Sequence, residues 1–144
     1  MEKIDNFDIE ELVCPHVYKR WGELPWAWMD PRLKSFLSWL RPAIGNPIYV
    51  NWPEKGLTQR GLRCNLCELV KNKTLKDIAY NSAHIRFQAI DFNVKNTRDA
   101  EVVKWLRAHE AEIPVNIRIE KGTKGWVHVD VCNPTNNKIQ FFNA

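Results

Sequence analysis

The sequence predicts an α+β fold, a small antiparallel sheet with flanking helices in one domain. Three observations predict it. A helical apolar stripe runs from Asp30 to Gly45, the run Ala89–Val94 alternates like a strand, and three further β-like runs separated by Gly- and Asn-rich turns close the chain.

Taken in order, Asp8–Val13 is a short helix candidate, with Asn6 or Asp5 available as its cap. From Asp30 the pattern is helical: Leu33, Phe36, Leu37, Leu40 and Ile44 fall on one face, Pro31 suits the first turn, and Gly45 follows the end. Pro47–Trp52 reads as a strand stopped by Pro53. The stretch 54–81 is polar and basic and shows no clear pattern beyond a helix near Cys67–Lys71. After the strand Ala89–Val94, Thr97 caps an amphipathic helix carrying Val102, Trp105, Leu106 and His109. Val115–Glu120, Trp126–Cys132 and Lys138–Phe142 then form an antiparallel meander, turning at Gly122–Gly125 and Asn133–Asn137. No repeat or linker interrupts 1–144, which divides into a helical part over 1–45 and a core over 46–142.

Composition excludes several classes. Hydrophobic residues at 44% with charged residues at 26% exclude disorder, and no apolar run is long enough to span a bilayer. The start, Met1-Glu2-Lys3-Ile4-Asp5, lacks the basic and apolar regions of a signal peptide, so a cytoplasmic monomer without a membrane partner is expected. A net charge of +4, carried by scattered Lys and Arg, suits an anionic partner but does not point to nucleic acid. Seven tryptophans suggest an aromatic-walled cleft as well as a core.

Chemistry gathers in two segments. In Ser82–Asp91 a histidine and an aspartate lie seven residues apart, and Asp91 interrupts an apolar strand where a lone carboxylate is expensive to bury. In Trp126–Val131, alternation puts Trp126, His128 and Asp130 on one face and Val127, Val129 and Val131 on the other. Two imidazoles and one carboxylate, His84, Asp91 and His128, form a ligand set suited to an open zinc site. Two unrelated histidines satisfied by hydrogen bonds account for the same spacing.

The segment Ser82-x-His84…Ala89-x-Asp91 resembles the Ser-x-His-x-x-Gly-x-Ala-x-Asp signature of the zinc D-alanyl-D-alanine carboxypeptidase-like peptidases, whose fold is shared with Hedgehog signalling domains. Trp126-x-His128 is similar to that family's third-ligand segment, and Gly61-Leu62-Arg63-Cys64 to the Gly-Tyr-Arg-Ser element before the signature. The likeness covers residues 45–132 in order and spacing, and is nearest to the short single-domain peptidases of bacteriophages and prophages.

The resemblance implies a Hedgehog/DD-peptidase-like fold with one Zn2+ on His84, Asp91 and His128. It also implies a carboxypeptidase or endopeptidase acting on peptidoglycan stem peptides that contain D-amino acids. Arg63 would pair with the substrate's terminal carboxylate, Ser82 would bind substrate or support the His84 loop, and Trp126 would wall the cleft. Such an enzyme, lacking an export signal, would stay in the cytoplasm until lysis releases it to the wall.

The chain departs from the pattern at three positions. Phe87 replaces the signature glycine, so its loop must change conformation or fill space. Gly125 and Trp126 stand where relatives carry a Glu or a His base. Asp130, sharing a face with His128, is the preferred replacement base, and Glu120 is the second candidate.

Cys64-x-x-Cys67 with Cys14 and His16 offers a structural tetrahedral zinc site, although reduced thiols without metal are the preferred reading and a redox pair is a third. Cys132 reads as a small buried hydrophobe. The alternative to the peptidase is a non-catalytic zinc domain binding wall peptides or a protein, and a nucleic-acid-binding zinc module ranks last.

Overall fold

In the computed structural model, which describes residues 2–74 and 79–144, the N-terminal part is helical. Helix α1 (Ile9–Leu12) starts at Asp8, whose N–H donates to the Glu11 carboxylate at 2.9 Å. Neither Asn6 nor Asp5 caps it; Asn6 instead takes a left-handed φ of 66° in the preceding turn, a region asparagine tolerates. Helix α2 (Pro15–Trp21) has proline at its first position and ends at Gly22. It buries only Val17, so no apolar stripe announces it in the sequence. Helix α3 (Pro31–Ile44) is opened by Asp30, whose Oδ1 accepts the Arg32 N–H at 2.9 Å, and is closed by left-handed Gly45. Its stripe of Leu33, Phe36, Leu37 and Leu40 is fully buried, as the periodicity predicts.

Strand β1 (Ile48–Tyr49) is shorter than the predicted 47–52 run. Past it the chain leaves the sheet because Asn51 is claimed elsewhere. Its N–H donates to Glu11 O at 2.9 Å, its amide donates to Val13 O at 2.7 Å, and its Oδ1 accepts from Arg60 N. Helix α4 (Glu68–Thr74) lies within the unpatterned stretch, of which residues 75–78 fall outside the described ones. Strand β2 (Ala89–Val94) matches its prediction. Helix α5 (Asp99–Ala108) begins after Arg98, since the Thr97 hydroxyl turns back to Lys95 O rather than capping forward. Val102 and Leu106 are buried, and Trp105 packs on Trp39 of α3 with ring centroids 5.6 Å apart.

Strands β3 (Ile117–Glu120), β4 (Val127–Asp130) and β5 (Ile139–Phe142) complete a five-stranded sheet of order β1-β2-β4-β3-β5. The fold is α+β with flanking helices, but the sheet is mixed and the C-terminal strands do not form a meander: β5 pairs parallel to β3. The connection after β4 steps across the start of β3, where the Asn133 side-chain amide donates to Ile117 O at 2.9 Å and Asn137 O at 2.8 Å. That fold of the loop delivers β5 to the far edge of β3, running the same way.

The pleat gives the sheet two unlike faces. Ile90 and Phe92, Ile117 and Ile119, and Val127 and Val129 point into the core, on the side contacted by α5. Asp91, Arg118, Glu120, His128, Asp130 and Phe142 occupy the alternate positions. Among the described residues no helix is long and apolar enough to cross a membrane.

Asp30 ties α3 to the loop before β2. Its carboxylate also accepts from the Gln88 amide at 2.9 Å, and its N–H donates to Phe87 O at 3.2 Å. Pairing with Arg32 holds the carboxyl at a pKa of about 2, below its ordinary 3.8. A carboxyl with a lowered folded pKa stabilises above its unfolded value and loses that contribution as pH falls through the folded one. Asp30→Ala is expected to lower stability by about 1 kcal/mol in urea unfolding at pH 7. The gap between variant and wild type should narrow between pH 4 and pH 2.

Candidate metal centre

Antiparallel pairing of β2 with β4 sets Asp91 directly opposite His128. Their side chains meet on the polar face, with His128 Nδ1 2.8 Å from Asp91 Oδ1. His84 arrives from a 3-10 turn, Ala83–Arg86, and places Nε2 3.4 Å from Asp91 Oδ2. The two imidazoles thus converge on the two oxygens of one carboxylate, and all three residues are buried.

Each ring is held by its second nitrogen. His84 Nδ1 lies 2.8 Å from Gly61 O; a carbonyl only accepts, so Nδ1 carries a proton and Nε2 is the nitrogen turned to Asp91. His128 Nε2 lies 3.0 Å from Asp130 Oδ2, a partner that holds a proton there, so Nδ1, which meets Asp91, is the nitrogen a cation would take in exchange for its proton. Asp130 is fixed in turn by Arg118, which donates from Nε at 2.8 Å and Nη2 at 2.9 Å, and by the Cys132 N–H at 2.9 Å. The Arg118 guanidinium rests on the Phe142 ring, 3.9 Å from its centroid.

Electrostatics follow the same pattern. Burial pushes the His128 imidazolium down, but the carboxylates of Asp130 and Asp91 outweigh it and raise the pKa to about 9. Burial likewise raises Asp91, and hydrogen bonds from His128 and His84 more than reverse this, holding it well below the usual carboxylate range. Asp130 is held at about 2, since His128 and Arg118 overcome its desolvation. A carboxylate kept ionised between two imidazoles, from which a cation would displace the facing protons, is a good partner for a divalent cation. His84, Asp91 and His128 form a group that could hold a metal ion.

The remaining predicted residues divide. Arg63 reaches the centre, donating from Nη2 to Asp91 Oδ2 at 3.1 Å and from Nε to Gln59 O at 2.6 Å. It shares with Asp91 and Trp126 a pocket of about 290 Å³ that Gln59, Arg60 and Leu69 also line. Trp126, 38% exposed, stands at its mouth and also walls a neighbouring hollow lined by Glu120. Ser82 does not line this pocket; its hydroxyl accepts the His84 N–H at 3.2 Å and so caps the turn carrying His84.

Asp130 is not placed as a base. It is fully buried, its oxygens are taken by Arg118, His128 and Cys132 N–H, and its low pKa makes it a poor proton acceptor. It lies on the Nε2 side of His128, away from Asp91. Glu120 lies on the other side, with Oε2 3.9 Å from His128 Nδ1. Phe87 adopts the left-handed backbone that glycine would take, with φ 54° and ψ 44°, and its ring is buried. The conformation costs about 1–2 kcal/mol, and burying the ring returns a similar amount.

Sequence reasoning missed Arg118 and Arg60, and it singled out Gly61 without foreseeing that its carbonyl orients His84. Arg118 is legible after the fact, since it alternates with Ile117 and Ile119 as Asp130 does with Val129. Gly61 admits no side chain, because a Cβ there would run into the Leu12 backbone carbonyl. Arg60 is buried, donates to Val50 O and Asn93 Oδ1, and accepts the Asp91 N–H at 2.7 Å through its own carbonyl.

A second group lies nearby. Cys14, His16, Cys64 and Cys67 bring four donor atoms within 4.8 Å of one another. None of these cysteines is disulfide-bonded. Burial raises the thiol pKa of Cys14 and pushes Cys67 up to about 12, the reverse of what a reactive redox cysteine requires. Cys132 is only half-buried, not the buried hydrophobe expected, because β4 ends before it; its Sγ contacts Gln88 and Arg86.

Compared with known proteins, the chain matches no family model, no curated protein and no solved structure. Its chemistry therefore rests on the geometry above. If His84, Asp91 and His128 hold a divalent metal, Asp130→Asn, which keeps the shape and removes the charge behind His128, is expected to weaken its binding by about 10- to 100-fold in competition titrations with a chelating dye.

Proposed function

We propose that this chain is a zinc-dependent peptidase cutting peptidoglycan stem peptides that contain D-amino acids. The observation that carries this reading is the convergence of His84 Nε2 and His128 Nδ1 on the Asp91 carboxylate, each imidazole oriented by a separate partner. Two histidines and one carboxylate, leaving a position open, are a ligand set of hydrolytic zinc sites. Zinc held there supplies Lewis acidity, polarising a carbonyl and making hydroxide available near neutral pH. The substrate class comes from the likeness of Ser82-x-His84…Asp91 and Trp126-x-His128 to the zinc D-alanyl-D-alanine carboxypeptidase-like peptidases, which also implies their Hedgehog-like fold. The α+β order and the placement of Arg63 beside Asp91 agree with that likeness.

The protein's own groups divide the work. Arg63, in the pocket beside Asp91, offers a guanidinium fork to a substrate carboxylate. Trp126 walls the cleft between that pocket and the hollow by Glu120. Glu120 accepts the proton of the attacking water and passes it to the leaving nitrogen as the carbon–oxygen bond forms and the carbon–nitrogen bond breaks. Asp130 and Arg118 hold His128 and do not touch the reacting atoms.

The test is a digest of purified peptidoglycan by zinc-loaded protein, resolved by mass spectrometry. Wild type is expected to shorten stem peptides. Glu120→Gln should lose about 10²-fold or more of the rate with zinc content unchanged, and His128→Ala should lose both zinc and activity. Intact stem peptides after incubation with zinc-loaded wild type would overturn the enzyme reading and assign a zinc domain that only binds.

A further inference from the structure

We propose that Cys14, His16, Cys64 and Cys67 form a second, structural zinc site, which locks the loop supplying the partners of the first. The four donors come from two segments brought together by backbone pairing. Val13 and Leu62 form a parallel bridge, Cys14 N–H donates to Leu62 O at 2.9 Å, and Leu62 N–H donates to Leu12 O at 2.9 Å. Cys14 therefore sits at the start of α2 with His16 one turn position on, facing the turn that holds Cys64 and Cys67.

Distances fit a tetrahedral ion. Cys64 Sγ and Cys67 Sγ are 4.0 Å apart, and Cys67 Sγ is 3.9 Å from His16 Nδ1. Zinc with thiolate and imidazole bonds of about 2.3 and 2.0 Å sets neighbouring donors about 3.5–3.8 Å apart, a contraction of a few tenths. A disulfide between Cys64 and Cys67 would need the sulfurs about 2 Å closer. The turn is also built for thiolates. Cys64 N–H points at Cys67 Sγ and Leu66 N–H at Cys64 Sγ, both at 3.4 Å, so backbone donors meet charge on sulfur. Three cysteines and one histidine with no position left for water make a closed, structural set, for which zinc is the fitting metal.

The location gives the site its consequence. Residues 59–63 lead directly into Cys64, and they carry the Gly61 carbonyl that orients His84 and the Arg63 side chain that contacts Asp91. Gly61 is pressed against Leu12 from the other strand of the same junction. Closing the Cys/His site joins α2 to this loop at both ends of the junction, so the first centre inherits its rigidity.

The proposal is separable from the peptidase reading, because its readout is metal on sulfur and not turnover. Full-length protein purified under reducing conditions with zinc should carry about two Zn2+ per wild-type chain and about one in His84→Ala/His128→Ala. Cobalt loaded into that double variant should give the near-ultraviolet absorption of a thiolate–cobalt bond, and Cys67→Ser should abolish it. The cobalt spectrum of wild type decides the matter where a variant fails to fold. A His84→Ala/His128→Ala protein that retains no zinc, or a cobalt protein without thiolate absorption, would overturn the second site. So would a Cys64–Cys67 disulfide in the purified protein.

Discussion

The contact on which the molecule's polar face depends is the cross-strand pair Asp91–His128, 2.8 Å apart inside the sheet. A buried carboxylate is tolerable only when its charge is met, and here the β2–β4 register meets it with an imidazole at the opposite position. That single pairing obliges the rest. His128 needs a partner for its other nitrogen, which is Asp130; Asp130 needs a cation, which is Arg118; and Arg118 is covered by Phe142 from β5. The parallel placement of β5 beside β3, unusual next to an antiparallel pair, brings that aromatic cover to the end of the chain of charges.

A second line of contacts comes from outside the sheet. His84 is held by the Gly61 carbonyl, by the Ser82 cap, and by the Arg63 N–H that donates to its own carbonyl at 3.2 Å. The loop 59–67 thus reaches Asp91 from outside the sheet, while β4 meets it from the neighbouring strand. Removing any one charged partner would leave another buried and unpaired, which is costlier than the pair itself is favourable. A divalent cation between the imidazoles and Asp91 relieves that crowding by replacing a proton with a larger positive charge.

Much of this was legible from pattern. Alternation in Ala89–Val94 and Trp126–Val131 placed Asp91, His128 and Asp130 off the apolar face, and the stripe of α3 placed Leu33 to Leu40 in the core. Order along the sheet was not legible, since the position of β5 depends on Asn133 bonding across a loop, and no local rule encodes that reach. Which side of His128 Asp130 and Glu120 occupy was not legible for the same reason. Sharing a strand face with His128 says that Asp130 is near, whereas the neighbouring strand decides which nitrogen each carboxylate meets. Phe87 shows the converse: its left-handed backbone is that of the glycine expected there, and burial of the ring makes the substitution tolerable.

The proposed zinc ion would bind Nε2 of His84, Nδ1 of His128 and the carboxylate of Asp91. Anomalous diffraction from zinc-loaded crystals, collected above and below the zinc edge, tests it most directly. A peak bonded to those atoms is expected, with His128 Nε2 still on Asp130 and Arg63 beside the site. No zinc peak between these residues, or one bonded to His128 through Nε2, would contradict it.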